Sequence, residues 1–237
     1  MSVRMSARMF APVPLTVACI ASVLVLLAVD RLGSQVWRAA AKMAASTFFV
    51  LIAVSLGAHA STYGQFILAA LLLGWLGDAL LLSRAPKAFM GGLAVFLLSH
   101  VLFAAAFLSG GLSGVLSGVL SGALSVPAMG AAGVLAAVFG TFVLRWLLPH
   151  TPGDFKGPVS AYVLVILGMC VAAAGHAFGS QRWAVLVGAL LFALSDISVA
   201  RDRFVRPGHV NRLWGWPSYF LAQVVLAWTV AGSHGSA

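Results

Sequence analysis

The chain has 237 residues, 62% of them hydrophobic and only 8% charged; a soluble domain is nearer one quarter charged, so a water-soluble fold is excluded and a polytopic membrane protein is indicated. Its 14 Lys and Arg against 5 acidic residues give a net charge of +9, which in a soluble protein would suggest nucleic acid. Here the basic residues flank apolar runs and mark one side of a bilayer, so no nucleic-acid partner is expected.

At ~20 residues per span, the length accommodates about eight spans. The expected fold is all-α: one polytopic transmembrane helix bundle with no separate soluble domain. Arg4 and Arg8 before an apolar run resemble the start of a signal peptide, but no small-residue cleavage site follows, so the run reads as a first span, near 13–29. A basic loop with Arg31 and Arg38 leads to span two, near 40–57, with Lys42 at its start. Span three, near 63–83, carries Asp78 close to its end, and Pro86 breaks the helix in the turn from Arg84 to Lys87. Span four, near 88–109, contains His100. The following GGLSGVLSGVLSGALS is a low-complexity repeat, expected as a loop or as frayed helix ends. Span five is expected near 126–148, a turn-rich PHTPGDFKGP loop follows, and spans six and seven fall near 159–178 and 183–200. The most basic loop, RDRFVRPGHVNR, precedes span eight, near 216–231.

Counting Lys and Arg on alternate sides gives eleven against three. The basic loops should therefore be cytoplasmic and both termini outside, in a bacterial inner membrane. Spans three and seven then both run inward, and Asp78 and Asp196 lie at similar depth near their ends. Lys42, Tyr162, Tyr219 and Gln223 also fall in the cytoplasmic halves of their spans, so polar groups from several helices converge on one level.

An ionised Asp at the bilayer centre costs ~3 kcal/mol on insertion scales and more in simulations, so intramembrane carboxylates mark function by default. The alternative is an inert carboxylate that caps or links helices. His100 has two readings, an interior histidine bonded to a carbonyl or a catalytic group. Lys42, Arg84 and Lys87 read as positive-inside anchors, with headgroup phosphate binding as the other reading. Tyr219 and Trp216 read as members of the interfacial aromatic belt. Gly74, Gly77, Gly92 and Gly188 would let helices approach closely beside Asp78, His100, Ser195 and Asp196. Cys19 and Cys170, both inside apolar runs, should be packed thiols. HExxH, GxSxG and paired histidines at zinc spacing are absent, while His59, His150, His209 and His234 lie in loops or tails, so no metal or other cofactor is expected. What remains is a carboxylate pair. In a low-dielectric site such a pair divides into one protonated acid and one ionised carboxylate, which suits acid-catalysed hydrolysis through an oxocarbenium-like state.

LGDALL around Asp78, FMGGLAVFLLSHVLF through His100, GALLFALSDISVARDRF around Asp196 and PSYFLAQ ending at Gln223 resemble, in that order, the YhhN family of eight-span membrane proteins, which includes the lysoplasmalogenases. The resemblance implies hydrolysis of the vinyl ether bond of an alkenyl lysophospholipid, giving a fatty aldehyde and glycerophospho-ethanolamine or -choline. The family's two aspartates fall on Asp78 and Asp196, either of which could be the acid. Lys42, His100, Tyr162, Ser195, Arg203, Tyr219 and Gln223 are the candidates for binding the headgroup or orienting the carboxylates. The rival reading is a proton-coupled transporter or channel using the buried Asp and His as a relay.

Overall fold

Lipid offers the backbone no hydrogen bonds, so a spanning segment must satisfy its own N–H and C=O groups, and helices do this. The computed structural model describes residues 12–83, 85–108 and 112–233. Arg4, Arg8, Arg84 and His234 lie outside the described residues. Among those described are nine α-helices: α1 (Pro12–Leu32), α2 (Gln35–Ser55), α3 (Thr62–Leu80), α4 (Pro86–Phe107), α5 (Leu112–Leu120), α6 (Val126–Leu147), α7 (Gly153–Ser180), α8 (Trp183–Ala200) and α9 (His209–Trp228). Seven stretches, α1 to α4 and α6 to α8 with their short extensions, are long and apolar enough to cross a membrane. The protein is a multi-pass membrane protein. Its lipid-facing character is plainest on α6, where Val134, Leu135, Val138 and Phe142 are each about two-thirds exposed, a surface that water would not tolerate.

Two elements differ from expectation. The Gly/Ser repeat forms the helix α5, because a four-residue period nearly matches the helical 3.6 and stacks Leu116 and Leu120 on one side. The eighth expected span corresponds to α9 with its 3₁₀ extension Thr229–Ser233, but the helix begins at His209, inside what reads as the basic loop. That earlier start places Tyr219 well within the helix.

The chain divides into two compact units, one comprising the residues up to Leu102 with those from Gln223 onward, the other running from Phe103 to Ala222. In the first, α1 is tied to α2 where the Cys19 thiol donates to the Ala45 carbonyl at 3.4 Å. Chain reversal after α2 uses Gly57 at φ +78°, a left-handed conformation natural to glycine. Ser61 then caps α3 by accepting from the Gly64 N–H at 3.1 Å. Ser99 of α4 donates to the Ala70 carbonyl of α3 at 2.8 Å. The end of α9 is anchored by Trp228 Nε1 donating to Thr16 at 2.9 Å and by the Tyr63 hydroxyl on Thr229 at 2.7 Å.

At Gly77, α3 packs against α4, and a Cβ there would fall 2.6 Å from the Phe96 ring. Gly77→Ala should therefore destabilise the protein by ~1–3 kcal/mol through overpacking. Thermal unfolding in detergent would register the loss, and a second change, Phe96→Leu, should recover most of it. Failure of that rescue would place the strain elsewhere.

In the second unit, α6 and α7 pack through Gly140 against Leu167 and Gly175 against Met129. Ser125 caps α6 and donates its backbone N–H to the Gly175 carbonyl at 2.9 Å. Helix α7 starts at Gly153, inside the expected loop, with Asp154 in its first turn where the helix dipole favours an anion. The Cys170 thiol, half-buried, faces the Ala189 carbonyl of α8 at 3.8 Å. Both cysteines are free thiols.

Candidate active site

In the first unit the site is built on α3, whose buried side carries Gly74, Gly77 and Asp78. Opposite it, Lys42 and Ser46 stand one turn apart on α2 and so share a helix face. Lys42 Nζ lies 3.0 Å from Asp78 Oδ1, and the Ser46 hydroxyl donates to Asp78 Oδ2 at 2.6 Å. Asp78 is 2% exposed and Lys42 8%. Lys42 is thus an interior counter-ion and not a membrane-surface anchor. Ser46 Oγ is also 3.0 Å from the Lys42 carbonyl; its single proton goes to the shorter, charge-assisted bond with the carboxylate. Each carboxylate oxygen therefore has its own cationic or hydroxyl partner, the geometry a buried charge requires.

His100, fully buried, holds the Phe96 carbonyl at 2.6 Å through Nδ1. A carbonyl only accepts, so Nδ1 carries a proton. That is the carbonyl-bonded arrangement weighed for an interior histidine. Gln223, also fully buried, has no hydrogen-bond partner for either amide atom among the described residues.

In the second unit the Tyr162 hydroxyl of α7 donates to Asp196 Oδ1 of α8 at 3.1 Å. Tyr162 is buried and Asp196 half-buried. Ser195 is buried but donates to the Phe192 carbonyl of its own helix at 2.7 Å, a local back-bond that commits its proton within α8. Tyr219 is buried, with Phe192 and Phe220 rings at 5.5 and 4.9 Å. It is packed among aromatic side chains inside its unit. Arg203 lies exposed on the π-helical turn Arg201–Val205.

That turn is more ordered than a basic loop suggests. Asp202 Oδ1 accepts from the Gly208 N–H at 2.8 Å and from Asn211 Nδ2 at 2.9 Å, while Arg201 donates to Asn211 Oδ1. Ser198 donates to the Asn211 carbonyl at 2.7 Å. The end of α8 is thereby tied to the start of α9, close in sequence to Asp196.

Three residues escaped the sequence reading of the site. Ser46 had a usable signal, its four-residue spacing from Lys42. His176 of α7, whose Nδ1 donates to the Phe107 carbonyl at 3.0 Å, and Asn211 had none, because their partners are fixed only by tertiary packing. Among the described residues no three His, Cys, Asp or Glu side chains are grouped to hold a metal ion.

The YhhN family profile matches residues 37–230. The lysoplasmalogenase TMEM86B of Sus scrofa is 34% identical over 171 residues, covering 72% of this chain and 66% of that protein. The lysoplasmalogenase TMEM86A of Bos taurus is 28% identical over 174 residues, covering 71% and 66%. A lysoplasmalogenase of Mycobacterium tuberculosis is 31% identical over 182 residues, covering 75% and 65%. The chain spans just under two thirds of the length of these curated relatives. No solved structure matches it.

Proposed function

Since the chain belongs to the YhhN family, we propose that it is a hydrolase of the vinyl ether bond in alkenyl lysophospholipids, as the names of its relatives suggest. The products are a fatty aldehyde and the glycerophospho-base. The observation that carries the chemical reading is Asp78, a carboxylate buried in an apolar helix and matched there by Lys42 and Ser46. Structural cross-links need no such expense in lipid; a reaction with a cationic intermediate does.

In this reading Asp196 is the acid, its proton going to the β-carbon of the alkenyl ether as the C=C π pair forms the new C–H bond. The α-carbon and ether oxygen become an oxocarbenium ion. Asp78, the ion-paired carboxylate, stabilises that cation and takes a proton from the attacking water. The resulting hemiacetal breaks its bond to the glycerol oxygen, which takes the proton held by Asp78 while the hemiacetal hydroxyl proton passes to Asp196, giving aldehyde and alcohol and returning both carboxyl groups to their starting states. Tyr162 orients Asp196, and Lys42 and Ser46 orient Asp78. Arg203, in the basic turn, suits the substrate phosphate. For topology, we propose eight spans with α9 as the last, basic loops cytoplasmic and both termini outside, in a bacterial inner membrane; the eleven-to-three division of Lys and Arg supports this.

The test is aldehyde release by purified protein in detergent, with an alkenyl lysophospholipid beside its acyl counterpart. Aldehyde should come from the alkenyl substrate alone. No aldehyde from either would sink the hydrolase reading, and proton-coupled flux in vesicles without bond cleavage would put a transporter in its place.

A further inference from the structure

Gln223 poses a specific physical problem. Its side chain is fully buried on α9, and neither Nε2 nor Oε1 has a hydrogen-bond partner among the described residues. A carboxamide brings two N–H donors and a carbonyl acceptor, and leaving both ends unmet in an apolar interior is a desolvation penalty without compensation. Buried polar groups left in that condition are few, and each calls for a partner that the polypeptide does not supply. The helix around it is not loosely placed: Ala222, Leu226 and Ala227 are fully buried, and Trp228 and Thr229 are hydrogen-bonded to Thr16 and Tyr63. Gln223 therefore has no easy route to relief by rotation of its helix.

The missing partner must both donate and accept. Among the groups of an alkenyl lysophospholipid, phosphate and ether oxygens only accept, an ethanolamine ammonium only donates, and a choline does neither. The free glycerol hydroxyl at the sn-2 position does both. It is also the one group that separates a lysolipid from a lipid carrying two chains. Resting on the hydrolase reading above, we infer that Gln223 is the subsite for the sn-2 hydroxyl of the substrate: its Nε2 donates to the hydroxyl oxygen while its Oε1 accepts the hydroxyl proton, and substrates lacking that hydroxyl leave the amide unmet. Selectivity for single-chain lipids then follows from polar complementarity as well as from space. A site built to hydrogen-bond a hydroxyl discriminates strongly against the analogue without it, because its own polar group stays unpaired.

The experiment compares two synthetic substrates, an alkenyl lysophospholipid and its sn-2-deoxy analogue, on wild type and on Gln223→Met, an unbranched apolar replacement of similar size. Wild type should prefer the hydroxyl-bearing substrate in kcat/KM by about 10- to 100-fold. Gln223→Met should lose most of that preference, falling toward the deoxy rate on the natural substrate and changing little on the deoxy analogue. A second readout separates binding from scaffolding. Without substrate, Gln223→Met should melt at the same temperature as wild type or a few degrees higher, since it removes an uncompensated buried amide. Equal turnover of both analogues by wild type, or equal losses on both in the variant, would overturn the subsite and leave the hydrolase standing; a bound water as the amide's partner predicts that result. A variant that melts lower and loses activity on both analogues would assign Gln223 a structural role. No aldehyde from either analogue in wild type would remove the hydrolase reading and the subsite with it.

Discussion

Asp78→Asn is expected to lower aldehyde release by about 100- to 10,000-fold, the range spanned by losing a general base and a charge aimed at a developing cation. The same change should destabilise the protein, because it leaves the Lys42 ammonium buried at 8% exposure opposite a neutral amide. Breaking one side of a buried ion pair costs ~3–5 kcal/mol, so activity alone would be an ambiguous reading. The companion variant resolves this. Adding Lys42→Met to Asp78→Asn removes the stranded charge, so thermal stability in detergent should return most of the way to wild type. Activity should not return with it. A stable double variant that still cleaves at wild-type rate would reduce the Lys42–Asp78 pair to a helix-to-helix tie and end its catalytic assignment.

Asp196→Asn should also cost about 100- to 10,000-fold in rate, but with little effect on stability. The reason lies in its surroundings. The Tyr162 hydroxyl donates to Asp196 at 3.1 Å, and an Asn carbonyl oxygen can still accept that bond. The cost should stay within ~1 kcal/mol, since the protonated carboxyl of the proposed acid and an Asn amide are both neutral acceptors. Tyr162→Phe removes the donor and should slow the reaction by roughly 10- to 100-fold, which corresponds to ~1.4–3 kcal/mol. In the double variant Tyr162→Phe should add nothing further, because its effect runs through Asp196. Additive losses would give Tyr162 an independent role, and an active Asp196→Asn would remove the proposed acid.

The two aspartates differ in how much of their setting was visible beforehand. That Asp78 and Asp196 stand out was legible at once, since a chain with five acidic residues places both in apolar runs. That Asp78 pairs with Lys42 was not. A lysine near the start of a span has an ordinary explanation as a surface anchor, and only the packing of α2 on α3 turns it inward to within 3.0 Å of the carboxylate. Ser46 was half-legible, one helical turn from Lys42 but with no local sign of its partner. The close approach at Gly77 was anticipated from small residues flanking the carboxylate, although the ring that fills the space belongs to Phe96, nineteen positions on.

The sequence by itself determined that this is an all-helical, multi-pass membrane protein, which apolar runs form helices, and the family to which it belongs. These follow from composition and local period, because lipid forces each spanning segment to satisfy its own backbone. Local composition also misled in two places. Gly and Ser content hid a helix in a repeat whose four-residue spacing is nearly helical, and the polar residues up to Arg212, which resemble a loop, put the start of α9 too late. The tertiary structure decided which side chains meet: Lys42 and Ser46 with Asp78, Tyr162 with Asp196, Asn211 with Asp202 and Ser198. Those pairings depend on the rotation and axial register of helices joined by loops, and a helix's own residues set its apolar and polar faces without specifying which neighbour each face will find.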